Sequence, residues 1–294
     1  MGDVHRESRT VEHRGCRIAY DVRGVTGPRN GIEDSGRTGR EPPTVLLIQG
    51  VGLHGDGWLP QTEALASKYR CVTFDNRGMG RSQPAAAPIT VEQMAEDALA
   101  VLDAEKIGSA HVVGHSLGGL VAFRLALEAR ARVKSLALMC TFADGRAAAP
   151  LTLRMMWLGM RTRIGTRRMR RRAFLRLVMP ADSLVGVDLD AMAERLAPLF
   201  GHDLGDQPPV VSAQLSAMRK YTAAPRLAEL SGLPTLVLSG AHDPISPPRV
   251  SAALATGIPG ARHVAFADAS HGLPVQHPDR VNALLSEHFA AASG

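Results

Sequence analysis

Long apolar runs, cysteines and aromatic residues are all scarce in this chain of 294 residues, and each scarcity excludes a class of protein. No uninterrupted apolar stretch approaches the ~18 residues that a membrane-spanning helix needs. The N-terminus carries charged residues where a secretory signal would be apolar. The sequence therefore predicts a cytoplasmic protein without stable membrane insertion.

The three cysteines, Cys16, Cys71 and Cys140, are odd in number and widely separated within strand-like segments. This arrangement favours small buried apolar side chains over a disulfide framework or a metal site. The chain also lacks a phosphate-binding loop and a G-x-G-x-x-G pattern that opens a helix after a strand. We therefore expect neither a metal nor a cofactor.

The formal net charge of +6 comes partly from an arginine-rich stretch that contains no acidic residue. Aromatic residues, which would form a stacking platform for bases, make up only 4% of the chain, so nucleic acid is not an expected partner. A solvated helix face, an anionic substrate and a membrane surface remain open interpretations. The arginines are Arg154, Arg161, Arg163, Arg167, Arg168, Arg170, Arg171, Arg172 and Arg176.

Short β-rich apolar runs alternate with helical patterns along most of the chain. Such alternation is typical of an α/β fold with a doubly wound, mostly parallel sheet. A hairpin over 10–22 is expected to precede it, followed by a flexible surface loop over 24–43 that is rich in glycine, proline and charge. The predicted strands cover 45–49, 71–74, 110–114, 133–140, 234–240 and 263–267, and the predicted helices cover 61–68, 90–107, 117–129, 248–255 and 278–291.

Residues 143–225 interrupt this alternation with helical, Met-rich and Arg-rich sequence. We expect this segment to be an inserted helical cap, with 1–142 and 226–294 forming the α/β core. Its apolar residues are expected either to line a pocket or to pack the interior of the cap. They include Met155, Met156, Trp157, Met160, Leu175, Leu177, Val178 and Met179.

The strongest chemical signal is the pentapeptide Gly114-His115-Ser116-Leu117-Gly118, which follows an apolar strand and precedes a helical pattern. G-x-S-x-G in this context forms a nucleophile elbow, a sharp turn that exposes the serine in a strained conformation. Glycines on both sides let the neighbouring backbone pass closely. Ser116 is therefore the predicted nucleophile.

Around this elbow the sequence resembles the α/β-hydrolase superfamily over nearly all of the chain except 24–43 and the cap. The resemblance implies an acid and a histidine after the serine in chain order. Asp243 follows the predicted strand 234–240 and His271 precedes the last helix, so they occupy the family's positions. Asp144 is a rival for the acid, since some members carry it there, whereas Asp268 is expected to cap a loop.

The resemblance also implies two backbone N–H donors for a developing oxyanion. One belongs to Leu117, and the other to Val51 in the loop after strand 45–49, where this chain has Gln-Gly in place of the His-Gly of many relatives. The loop 75–82 also resembles a family loop, with a structural role, and Arg77 within it is not expected to be catalytic.

These residues predict a serine hydrolase that cleaves a carboxylic ester, thioester or lactone of a small apolar substrate through an acyl-serine intermediate. The expected partner is a small molecule, and no cofactor is expected. The family also contains cofactor-free haloperoxidase-like proteins, lyases and acyltransferases with a similar triad. A non-catalytic small-molecule receptor on the same scaffold is a further alternative.

Overall fold

A computed structural model describes residues 5–24, 42–85, 88–148 and 152–293, and the loop predicted over 24–43 lies almost wholly outside them. Eight strands form one sheet in the order β1-β2-β4-β3-β5-β6-β7-β8. β1 pairs antiparallel with β2, which pairs antiparallel with β4, and all other pairs are parallel. The strands are β1 (His5–His13), β2 (Cys16–Gly24), β3 (Thr44–Ile48), β4 (Arg70–Phe74), β5 (Ala110–His115), β6 (Val133–Met139), β7 (Thr235–Gly240) and β8 (Arg262–Phe266).

Ten α-helices lie in the described ranges, and each helix predicted from the sequence overlaps one of them. Thr90 caps the second, because its hydroxyl accepts a hydrogen bond from the Gln93 N–H, as the capping pattern predicts. None of these helices is both long and apolar enough to cross a bilayer. They are α1 (Leu59–Leu65), α2 (Val91–Ala104), α3 (Leu117–Glu128), α4 (Leu153–Arg161), α5 (Arg167–Val178), α6 (Leu189–Phe200), α7 (Val211–Lys220), α8 (Pro248–Gly257), α9 (Leu273–Gln276) and α10 (Pro278–Ala291).

The sheet is covered on both faces, which explains why its central strands are mostly apolar. Side chains alternate along a strand, so Leu46 and Ile48 belong to one core cluster, with α2 and α3. Val45 and Leu47 belong to a second cluster, with α1 and α10. The predicted doubly wound α/β fold is confirmed.

Residues 143–225 contribute α4 to α7 and no strand of the sheet among the described residues. Leu175, Ala193, Phe200 and Leu204 form a small apolar cluster of their own within this segment. That this segment is a separate cap domain stays a prediction. Its helices are inserted in the sequence between β6 and β7.

Acids from later in the same segment pair with much of the arginine-rich stretch. Arg171 forms a short contact with Asp203, and Arg168 and Arg172 both reach Asp190, at 2.6 and 2.9 Å. The arginines of α5 therefore join α5 to α6 and to the loop after it.

Candidate active site

Ser116 lies at the turn between β5 and α3, with φ 54° and ψ −119°. A non-glycine residue at positive φ costs on the order of 1–3 kcal/mol, and such strain is common where a side chain is held for chemistry. The Ser116 N–H donates to the Met139 carbonyl at 3.0 Å, which fixes the turn to the next strand. The predicted nucleophile thus has the backbone of a strand-turn-helix elbow.

Glycines around Ser116 are required by close backbone contacts. A Cβ at Gly118 would collide with the carbonyl oxygen of Ile48, and one at Gly114 would collide with the carbonyl of Gly118. At Gly119 a Cβ would meet the side chain of Thr141. Glycine is therefore required at these positions because α3 packs directly against the sheet.

The predicted base and acid are in direct contact. Nδ1 of His271 lies 2.8 Å from Oδ2 of Asp243, and both side chains are almost fully buried. The other carboxylate oxygen of Asp243 accepts hydrogen bonds from the N–H groups of Ile245 and Ser246, each at 2.8 Å. Since Nδ1 faces the carboxylate, Nε2 is the ring nitrogen left for a serine hydroxyl.

The two rival acids are engaged elsewhere. Asp144 caps a short 3₁₀ turn by accepting from the Arg146 N–H at 2.9 Å. Asp268 is exposed and lies 3.3 Å from a guanidinium nitrogen of Arg280. Within the described ranges neither of them contacts His271, so the geometry favours Asp243 as its carboxylate.

His115, the residue before Ser116, joins the nucleophile turn to the histidine loop. Its Nε2 lies 2.9 Å from the carbonyl oxygen of His271, and the two rings are 4.9 Å apart. Burial, with a smaller contribution from nearby His271, lowers the pKa of His115 to about 3. The ring is therefore neutral near pH 7, and its Nε2–H donates to that carbonyl.

The predicted oxyanion loop lies beside the nucleophile. A Cβ built on Gly50 would lie 3.2 Å from Cβ of Ser116. Val51 is the next residue in the chain, so its N–H group lies directly after this close approach. Within the described ranges, the N–H groups of Val51 and Leu117 donate to no other protein atom. Both N–H groups are therefore available to a ligand. For Leu117 this is expected, because the first N–H groups of a helix have no partner within the helix.

Polar side chains that the sequence analysis missed hold these loops in place. Gln214, fully buried in α7, accepts a hydrogen bond from the Gly52 N–H at 2.9 Å and so fixes the oxyanion loop from the cap segment. The hydroxyl of Thr141 donates to the Ser116 carbonyl at 2.7 Å, and that of Ser246 donates to the Thr141 carbonyl at 2.8 Å. Only Ser246 carried a local signal, the Asp-Pro-Ile-Ser turn.

His115, Cys140 and His271 place their possible metal-ligand atoms within 4.8 Å of one another. The donor set fits a metal poorly, because Nδ1 of His271 faces Asp243 and Nε2 of His115 faces a carbonyl. Burial, followed by the charge of Asp243, also raises the pKa of the Cys140 thiol well above its usual range. A metal ligand would have to be the thiolate, which this environment disfavours.

A cleft of about 690 Å³ lies between the cap segment and the loop after β7, and it reaches Asp243. Of the apolar residues predicted to line a pocket, Trp157 and Met179 contribute to this cleft, whereas Leu175 and Val178 are buried inside the cap segment. Its other lining residues are Leu158, Arg176, Pro180, Ala181, Leu184, Val185, Leu189, Ala241, His242 and Pro244.

Comparisons with known proteins agree with this architecture. A family model described as "alpha/beta hydrolase fold" matches residues 43–278. A protein of Azorhizobium caulinodans named "Putative carbamate hydrolase RutD" is 32% identical over 245 residues, which cover 82% of this chain and 89% of the relative. The crystal structure of the enol-lactonase from Burkholderia xenovorans LB400 has a TM-score of 0.77 and 25% identity, covering 96% of this chain and 100% of that one.

Proposed function

This chain belongs to the α/β-hydrolase fold family, and from that premise we propose that it is a serine hydrolase of small apolar esters, thioesters or lactones. The observation that carries the proposal is the 2.8 Å contact between His271 and Asp243, with Ser116 on a strained elbow adjoining the same loop. Membership of a hydrolase family is shown by the comparisons. The serine mechanism and the cleavage of an ester bond are our proposal.

In the proposed reaction, the Ser116 hydroxyl attacks the substrate carbonyl while Nε2 of His271 accepts its proton. The N–H groups of Val51 and Leu117 stabilise the negative oxygen of the tetrahedral intermediate. Collapse breaks the bond to the leaving group, which takes the proton from His271, and leaves an acyl group on Ser116. Water then attacks the acyl-enzyme with the same histidine as base, which releases the acid and restores the serine.

Asp243 has two roles in this scheme. It keeps the proton of neutral His271 on Nδ1, so that Nε2 has a free lone pair, and it stabilises the imidazolium that forms after proton transfer. Burial strengthens this second effect, because a charge pair interacts more strongly away from water.

Ser116 and His271 do not line the cleft that reaches Asp243, but its mostly apolar lining beside the predicted acid supports an apolar substrate. The names of the relatives, a carbamate hydrolase and an enol-lactonase, describe attack on an acyl carbon that bears a heteroatom. This shared chemistry supports an acyl-transfer site here, and carbamates belong in the substrate panel beside esters and lactones.

The direct test is labelling with a fluorophosphonate, which reacts with activated serines, followed by turnover of chromogenic esters. We expect Ser116→Ala to lose labelling and to lose at least about 10³-fold in kcat, because a triad acts as a unit. Ser231→Ala, which removes an exposed serine at a helix end, is the matched control and should behave as wild type.

Wild-type turnover of every accepted ester by Ser116→Ala would contradict the proposal. Accumulation of a transfer product with an added alcohol would assign the acyltransferase reaction instead. Tight binding of a small molecule without any turnover would favour the alternative of a non-catalytic receptor on this scaffold.

A further inference from the structure

One face of α4 is apolar, and its side chains are about half exposed or more. Leu153, Met156, Trp157 and Met160 follow the i, i+3, i+4 and i+7 spacing of a single helix face, and Ile164 lies in the turn that follows the helix. Trp157 is 54% exposed and Leu153 is 82% exposed, although large apolar side chains are normally buried. We refer to this set as the α4 face, which consists of Leu153, Met156, Trp157, Met160 and Ile164.

The surroundings of the α4 face are basic. Residues 145–181 contain ten arginines and not one Asp or Glu. Most arginines of α5 are paired with acids, but Arg161, Arg163 and Arg176 form no ion pair within the described ranges. The guanidinium of Arg161 lies 5.8 Å from the centre of the Trp157 ring, so cationic and apolar groups are intermixed at this surface.

We propose that the α4 face is a docking surface for an anionic membrane, on which the protein rests peripherally. The apolar side chains would enter the boundary between headgroups and acyl chains, while Arg161 and Arg163 would contact lipid phosphates. Amphipathic helices with apolar and basic groups bind such surfaces, and tryptophan favours this boundary. The proposal does not depend on Ser116 being the nucleophile.

Charge distinguishes this occupant from a second copy of the chain. A two-fold dimer through the α4 face would bring each patch against itself and place Arg161 and Arg163 near their own copies. Within the described ranges neither of these arginines has an ion-pair partner of its own to compensate the repulsion, whereas neighbouring arginines pair with Asp190, Asp203 and Asp206. An anionic bilayer supplies both the missing negative charge and the apolar phase.

The cleft beside the α4 face gives this docking a consequence for substrate entry. Trp157 belongs to the α4 face and also lines the cleft that reaches Asp243, and Val185, 78% exposed, lies on the same cleft. A docked protein would therefore present this cleft to the bilayer, and an amphipathic molecule with an acyl chain that entered it would reach the Asp243 loop, since Ser116 and His271 do not line the cleft.

The two tryptophans provide a specific reporter. Trp58 is fully buried, whereas Trp157 is half exposed, so only Trp157 should respond to an apolar surface. Adding vesicles of phosphatidylcholine with phosphatidylglycerol should shift the fluorescence maximum to shorter wavelength. Trp157→Phe, which leaves Trp58 alone, should show no shift, and pure phosphatidylcholine should produce little shift with the wild type.

Vesicle flotation measures the contribution of charge. Removing Arg161 and Arg163 together, as R161Q/R163Q, should lower partitioning at least about tenfold, since each basic residue near an anionic surface contributes roughly 1 kcal/mol. The matched control R14Q/R262Q removes two exposed arginines elsewhere and should partition nearly as wild type. Both doubles should label with fluorophosphonate as wild type if folded and if the proposed serine is active, and circular dichroism checks folding independently.

Four outcomes would overturn the proposal. The first is no partitioning onto anionic vesicles, and the second is equal partitioning onto neutral ones. The third is a dimer at micromolar concentration in which Trp157 becomes protected without lipid. Flotation of the wild type without a Trp157 shift would also overturn it, because another surface would then be responsible.

Discussion

Asp243 presents its two carboxylate oxygens to different partners, and this division predicts what an amide would do in its place. Oδ1 accepts from two backbone N–H groups, whereas Oδ2 faces Nδ1 of His271. In Asp243→Asn the amide oxygen is expected to keep the two N–H groups. The amide nitrogen would then face Nδ1 and force the proton to Nε2, the wrong tautomer for a general base.

We therefore expect Asp243→Asn to lower kcat by about 10⁴-fold with little change in KM, as loss of the correct tautomer does in serine triads. Steady-state kinetics on a chromogenic ester would measure this. Asp144→Asn, at the rival acid that only caps a short turn, should stay within about threefold of wild type. The opposite pattern, with Asp144→Asn inactive and Asp243→Asn active, would reassign the acid.

The residues that could be predicted are those whose role is local in sequence. Ser116 is marked by its own flanking glycines, and Asp243 and His271 by the elements that precede or follow them. Gln214 and Thr141 could not be predicted, because each supports a loop more than twenty residues away by one hydrogen bond. A buried amide or hydroxyl of this kind has no sequence pattern, since its partner is a backbone group that any residue can supply.

At the scale of elements, the elbow depends on how closely α3 approaches β3 and β5. Gly118 lies where an added Cβ would collide with the backbone carbonyl of Ile48, which no side-chain rotation can relieve. Gly118→Ala should therefore lower the free energy of unfolding by about 3 kcal/mol or more, the upper part of the range for overpacking. Urea denaturation would measure this.

Gly108→Ala is the matched control for Gly118→Ala. A Cβ at Gly108 meets no atom within 4 Å, and its φ does not lie in the left-handed region. We expect its effect to stay within about 0.5 kcal/mol, as for most surface substitutions. Equal stability of the two variants would show that α3 does not pack against β3 as closely as the structure places it.

Periodicity predicted the elements of the core but not the interactions of the cap segment. The strand predicted at 133–140 is marked by its apolar run Leu136–Cys140, and β6 covers Val133–Met139. The arginines of α5 looked like a solvated face, yet Arg171 pairs with Asp203, 32 residues later in the chain. Charge pairing between helices depends on tertiary packing, which local sequence does not encode.

At the scale of the whole molecule, the positive charge is concentrated in one segment. Residues 143–225 contain 13 basic and 7 acidic side chains, so their excess of six equals the formal net charge of the entire chain. The rest of the chain has equal numbers of basic and acidic side chains, so the excess positive charge that would attract an anionic surface lies in the cap segment. The net charge of a chain therefore indicates a partner only when its location is known.

The α/β core contains a buried ion pair between Arg77 and Asp97. The side chain of Arg77 is fully buried and forms two hydrogen bonds with Asp97 of α2, at 2.6 and 3.0 Å. It also donates to the carbonyls of His13 and Arg14, at 3.2 and 3.3 Å, in the turn of the β1–β2 hairpin. One guanidinium thus joins the hairpin, the loop after β4 and α2.

Arg77→Gln should lower the free energy of unfolding by about 3–5 kcal/mol, because the buried Asp97 carboxylate loses its guanidinium and keeps Nδ1 of His13, at 2.7 Å, as its remaining close partner from the hairpin. The double variant R77L/D97L, which removes both charges, should lose less than the single variant. Arg262→Gln, which breaks an exposed pair with Glu287, should cost at most about 1 kcal/mol. Since Arg77 contacts no predicted catalytic residue, kcat per folded molecule should remain that of wild type at temperatures where Arg77→Gln is folded. A selective loss of kcat with unchanged stability would instead place Arg77 in the reaction, against its interpretation as a structural residue.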